Sequence, residues 1–141
     1  MSYLRNGYAN SDLTKRPGRR AIVSLNLEPS DEQSREDPKK VLGSFAQSGA
    51  QLWAVSVQRG GLKNSKRDLV LNDVAKATGG QRDFVVGISA VENILKNYAD
   101  ALTAQFEVVY ERPENAKNVK SVQVGTSAQG LKIHASGFAP Q

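Results

Sequence analysis

At 141 residues, 39% of them hydrophobic and 23% charged, the chain has the composition of a globular protein and the length for one core, hardly for two. It has no apolar run near the ~20 residues that span a bilayer, and its N-terminal MSYLRNGYANSDLTKRPGRR lacks the apolar core of a secretory signal. The absence of cysteine excludes disulfides, thiolate zinc sites and thiol catalysis, while 19 Lys plus Arg against 14 Asp plus Glu, a net charge of +5, leaves electrostatic binding of phosphates open.

Residues 1–17 read as an irregular basic arm, broken by Gly7, Asn10, Ser11 and Pro17, with at most a weak helical turn near 11–15. The first strand is expected over 21–27, AIVSLNL, where Ile22, Val23, Leu25 and Leu27 place apolar groups on both faces, as a covered parallel strand requires. A polar loop opening with Glu28 follows. Asp37-Pro38 then predicts a helix start, with Asp as the cap and Pro at the first helical position. Val41, Leu42, Phe45 and Ala46 continue it at helical spacing, and Gly49 fits a left-handed stop.

The stretch 51–57, QLWAVSV, is short, uncharged and rich in β-branched and aromatic residues; between two helices it reads as a fully buried strand, with Trp53 a packing residue. A Gly- and Lys-bearing loop over 58–66 leads to a helix opened near Asp68, carrying Leu69, Leu71, Val74 and Ala75 and ended by Gly79-Gly80. A third strand is expected over 82–86. Ser89 and Glu92 have the spacing of a capping box ahead of a long amphipathic helix marked by Val91, Ile94, Leu95, Tyr98 and Leu102. The order β-α-β-α-β-α predicts a three-layer α/β domain over 18–103, its parallel sheet joined by right-handed crossovers. Beyond it, alternation over 104–110, 119–124 and 131–135, with Gly125 and Gly130 at a turn, predicts a small antiparallel β extension at 104–141.

Catalytic chemistry finds no constellation. His134 is the single histidine and has no Ser or Asp at a telling spacing; the pairs Asp31/Glu32 and Asp68/Asp73 fit helix N-terminal charge stabilisation. Neither Gly60-Gly61 nor Gly79-Gly80 belongs to a nucleotide-binding fingerprint. The chain therefore reads as a non-enzyme. Arg16, Arg19 and Arg20, with Lys63, Lys66 and Arg67, form the clusters that would contact phosphate, but no aromatic platform accompanies them, which disfavours nucleic acid.

The order GRRAIVSL, VLGSFAQSGAQLWAVSV, LNDVAKATGGQRDFV and NILKNYADALTAQFEVVYE resembles the second half of a von Willebrand factor type A domain, and SVQVGTSAQGLKIHASGFAP is similar to the short β tail of a bacterial subfamily, which closes on a Gly-aromatic pair, here Gly137-Phe138. The resemblance covers residues 18–140. It implies a protein-interaction, adhesion-like module. Two departures qualify it. The strand ending in D-x-S-x-S, with the strands and helices after it, has no counterpart in residues 1–17, and Leu27 followed by Glu28 stands where the family carries an Asp. Those groups would ligate a hard divalent cation. Ser30, Asp31 and Glu32 are oxygen donors nearby, but without the D-x-S-x-S loop they do not complete a cage, so Mg²⁺ or a similar ion is expected only if the missing half is supplied.

The resemblance makes 21–27 an edge strand. An unguarded apolar edge invites pairing, so a protein partner, a second copy or residues 1–17 is expected along the strand from Ala21 to Leu27. The binding face is expected at the loops after the strands: Glu28, Ser30, Asp31, Gln58, Arg59 and Lys63. The competing expectation is a phosphate- or nucleic-acid-binding α/β protein using Arg16, Arg19, Arg20, Lys66 and Arg67. Lacking an export signal, the chain as given is expected to be cytoplasmic, or secreted or periplasmic if its start lies upstream.

Overall fold

The computed structural model describes residues 13, 15, 17–28, 37–58, 65–109, 111, 114 and 121–138. Strand β1 (Arg20–Glu28) is followed by helix α1 (Pro38–Ser48), β2 (Ala50–Gln58), α2 (Ser65–Thr78), β3 (Arg82–Val85), a 3₁₀ turn (Ile88–Ala90) and α3 (Val91–Thr103). The strands lie in the order β1-β2-β3, all parallel. Arg20 stands opposite Ala50 and Glu28 opposite Gln58, while Ala54 stands opposite Arg82. The expected α/β alternation is thus the observed one.

Local signals fix the first connection. The Asp37 carboxylate accepts from the Lys39 N–H at 2.9 Å, Pro38 opens α1, and Gly49 at φ 62° ends it. Ser48 Oγ then accepts from the Ala50 N–H at 3.2 Å, so helix passes to strand without a loop. Side chains alternate along each strand. Leu52 and Ala54 of β2, with Ile22 of β1, meet Phe45, Val41 and Leu42 of α1 and Leu71, Val74 and Val70 of α2 on one face. Trp53, Val55 and Val57, with Val85, meet Val91, Ile94, Tyr98 and Leu102 of α3 on the other. β2 is buried from Leu52 to Val57, which accounts for its uncharged sequence.

Trp53 packs against Tyr98 with ring centroids 5.0 Å apart. The Tyr98 hydroxyl lies 2.7 Å from Asp83 Oδ2 and 2.8 Å from the Ala54 carbonyl, and with one proton it donates to one of them at a time. Burial, and then the Asp83 carboxylate beside it, hold the phenol well above its ordinary value near 10. The sign of the linkage follows. The unfolded chain loses this proton first, so the stabilisation is complete below pH 10 and falls as pH rises past it. Tyr98→Phe is expected to lower the unfolding free energy by about 1–2 kcal/mol near neutrality and to flatten its decline above pH 10. Urea denaturation at stepped pH measures both.

The A-x-x-T-G-G stretch, Ala75 to Gly80, joins α2 to the sheet through side-chain and backbone contacts. Buried Thr78 accepts from the Leu52 N–H at 3.0 Å and donates back to the Val74 carbonyl at 2.7 Å. Gly79 turns the chain at φ 75°, and Gly80 lies against the Leu52 backbone.

Two expectations need correction. Ser89 makes no capping bond: a 3₁₀ turn occupies Ile88–Ala90, and α3 begins at Val91 behind Ala90. The antiparallel extension does not form among the described residues. Residues 105–109 belong to no strand, and among the described residues farther on the one ladder contact is the bridge between Ser121 and Phe138, with the Val122 N–H donating to the Gly137 carbonyl at 3.0 Å. Alternation alone does not make a sheet; a two-stranded hairpin is marginal without a face to bury, and Val124, Leu131 and Ile133 stay exposed. The tail is pinned instead at the α2 end, where the Gly137 N–H donates to the Ala77 carbonyl at 2.9 Å.

Candidate functional site

A parallel sheet is normally covered on both faces, and β1 departs from this. Consecutive right-handed crossovers in one direction place α1 and α2 on the same face. On the other face α3 packs over β2 and β3 among the described residues. Of the β1 side chains on that face only Ala21 reaches the α3 cluster. Val23, Leu25 and Leu27 are 48, 56 and 58% exposed. Among the described residues nothing pairs with the outer edge of β1, and from Ala21 to Leu27 no charged side chain guards it. The site is an apolar strip beside a strand edge that no described strand pairs.

The carboxyl ends of the strands carry a different arrangement. Glu28 accepts from Arg67 at 2.9 Å, and Arg82 lies 3.9 Å from its second oxygen. Arg82 also contacts Asp68 at 2.8 Å, donates to Asn72 Oδ1 at 3.1 Å and donates through Nε and Nη2 to Ser56 Oγ at 3.0 and 2.9 Å. Its guanidinium stands over the Phe84 ring, 4.4 Å from the centroid. Buried Asn26 donates to Ser24 Oγ and to the Val55 carbonyl, while its Oδ1 and Glu28 Oε1 have no hydrogen-bond partner. Among the described residues two arginines face two carboxylates, and both arginine side chains are 3% exposed. The cluster ties α2 to the strand ends through Arg67 and Asp68. Sequence reasoning singled out Glu28 and Arg67 but missed Arg82, Asn26 and Ser56. The available signal was polar residues at matching positions of two apolar strands, since Asn26 stands opposite Ser56.

The remaining expected residues divide by place. Gln58 ends β2 and is half-buried. Ser30, Asp31, Glu32, Arg59, Lys63 and Arg16 lie outside the described residues, and Lys66 falls in the first turn of α2. Arg19 donates to the Gln105 carbonyl at 2.9 Å and Arg20 to the Ser48 carbonyl at 2.6 Å, both at the amino end of β1. Arg67 sits at its carboxyl end, on the order of 25 Å away at ~3.3 Å per residue. These cations therefore do not converge on one phosphate. His134 is exposed on the tail, its ring 6.3 Å from that of Trp53, and borders a cleft of about 460 Å³ with Lys76, Gly79 and Arg82. No cluster of three His, Asp or Glu side chains suited to a metal occurs among the described residues, and no described helix is long and apolar enough to cross a membrane.

No protein-family model matches the chain, and no curated protein or solved structure does.

Proposed function

We propose that the chain is a non-enzymatic protein-interaction module of von Willebrand factor type A-like build, without a complete metal-ion-dependent adhesion site, that takes a protein partner or a second copy along β1. The observation that carries this reading is the strip of Val23, Leu25 and Leu27, about half exposed on an edge that no described strand pairs. Covering such a strip contributes a large fraction of a domain's stability, since fully burying one aliphatic side chain is worth roughly 1.5–3 kcal/mol. Strand addition supplies the backbone partners at the same time. The sequence order quoted above, with three parallel strands alternating with three helices, supports the family reading.

Solution mass measured against concentration tests the proposal. At tens of micromolar the chain is expected to exceed its monomer mass, and Leu25→Lys, on an exposed position, to weaken that association about tenfold or more, because a buried unpaired lysine costs at least the ~1.4 kcal/mol that a tenfold change represents. Mg²⁺ and chelator are expected to change nothing. A monomer at every concentration, with residues 21–27 in fast amide exchange, overturns the proposal; so does assembly that chelator abolishes.

A further inference from the structure

The β1 edge has a neighbour within the same chain. Residues 105–109, QFEVV, follow α3 outside any helix or strand, and Phe106, Val108 and Val109 are 92, 68 and 88% exposed. Alternating aromatic and β-branched residues are strand-forming. The segment also starts in the right place. Arg19, just before β1, donates to the Gln105 carbonyl at 2.9 Å, and Gln105 Nε2 donates to Gln51 Oε1 at 2.6 Å, Gln51 being the residue opposite Ala21 in the sheet. From that anchor, a chain running along the outer edge of β1 travels parallel to it.

We propose that 105–109 is a strap that closes on the outer edge of β1 as a fourth parallel strand, competing with a partner for that edge. Handedness permits the closure. α1 and α2 carry the chain from β1 to β3 across one face, and α3 returns it in the opposite direction across the other; reversing both direction and face keeps the crossover right-handed. Setting Phe106 beside Ala21 places Val108 beside Val23, so both apolar side chains flank the exposed strip on the α3 face. Glu107 then falls on the opposite face, the one from which Arg20 projects, and puts opposite charges on neighbouring strands. The open form in the structure and the closed form differ by the seating of five residues hinged at Gln105.

The strap concerns the edge named in the proposed function and rests on that reading only for its role as competitor. Its test uses the full chain, whose lack of cysteine makes introduced thiols unique. The pair Val23→Cys and Val108→Cys, treated with a short bismaleimide at low micromolar concentration, is expected to link within one chain, while Leu69→Cys on α2 with Val108→Cys is expected not to link. Phe106→Ser with Val108→Ser, both at exposed positions that leave the core intact, is expected to strengthen self-association about fivefold or more by removing the competing closed state. A covalent dimer overturns the strap, because the segment then serves a second copy. An unlinked chain whose association the serine variant leaves unchanged overturns it too. Leu25→Lys reads the edge alone, so a failed strap beside a working edge is recognisable.

Discussion

Gly80→Ala is expected to lower the unfolding free energy by about 3 kcal/mol or more, with the melting midpoint falling by roughly 6–12 °C. A Cβ built on Gly80 collides with the Leu52 carbonyl oxygen and lies 2.6 Å from its carbon. Both are backbone atoms of the central strand, so no flexible side chain can swing aside. The chain is also tied to the strand one residue on, where Gln81 accepts from the Ala54 N–H at 2.8 Å. Relief requires separating α2 from β2, which opens the Leu52, Leu71 and Val74 core. Gly79→Ala meets a different obstacle: φ 75° costs an L-residue about 1–2 kcal/mol, and its Cβ meets the Ala135 and Ser136 backbone at 2.5 Å. The tail gives way there more easily than β2 does. Gly43→Ala is the control. It lies within α1 with nothing within 4 Å of the added Cβ, and is expected to raise stability by about 0.5–1 kcal/mol. Urea denaturation of the three variants orders them. Gly80→Ala at wild-type stability would mean that β2 and the end of α2 do not pack as described.

Arg82→Met is expected to cost about 3–5 kcal/mol, the scale of breaking a buried ion pair from one side. The side chains of Arg82 and Glu28 are 3 and 13% exposed, and Asp68 is 28% exposed. Removing the guanidinium leaves Asp68 without its 2.8 Å partner, leaves Ser56 and Asn72 without a donor, and exposes Phe84 further. Arg67 still neutralises Glu28, which is why Arg82→Met is expected to destabilise the fold and not to abolish it. Arg82→Lys is expected to recover less than half of the loss, because a single ammonium does not reproduce a planar fork that reaches Ser56, Asn72 and Asp68 together. Raising the salt concentration is expected to leave the deficit in place, since screening acts weakly on buried charge. A loss below 1 kcal/mol for Arg82→Met, or one that salt erases, would place this cluster at the solvent surface.

Much of the fold was legible because its signals are local. Asp37, Pro38 and Gly49 act through their own φ, ψ and hydrogen bonds, so the limits of α1 were readable from the residues. The uncharged run through Trp53 could belong only to a strand covered on both faces, and β2 is that strand. Where reading by pattern failed, the outcome depended on a competitor or a partner. Ser89 and Glu92 have capping-box spacing, yet the chain enters α3 through a 3₁₀ turn that takes the Ala90 N–H to the Gly87 carbonyl instead. The tail alternates like a strand pair, yet among the described residues Val124, Leu131 and Ile133 stay exposed, and alternation without burial carries little free energy. The candidate site was half legible: the unguarded edge from Ala21 to Leu27 could be read, whereas the engagement of Glu28 and Arg67 with each other could not, being a contact across 39 positions of chain.

By itself the sequence determined the kinds of element and their order, because periodicity, caps and left-handed glycines act within a turn or two of chain. Tertiary structure alone decided that Val23, Leu25 and Leu27 stay about half exposed and that Ser56 and Arg82 meet beside Asn26. Sheet order and register bring together residues dozens of positions apart, and no local propensity encodes which of them will touch.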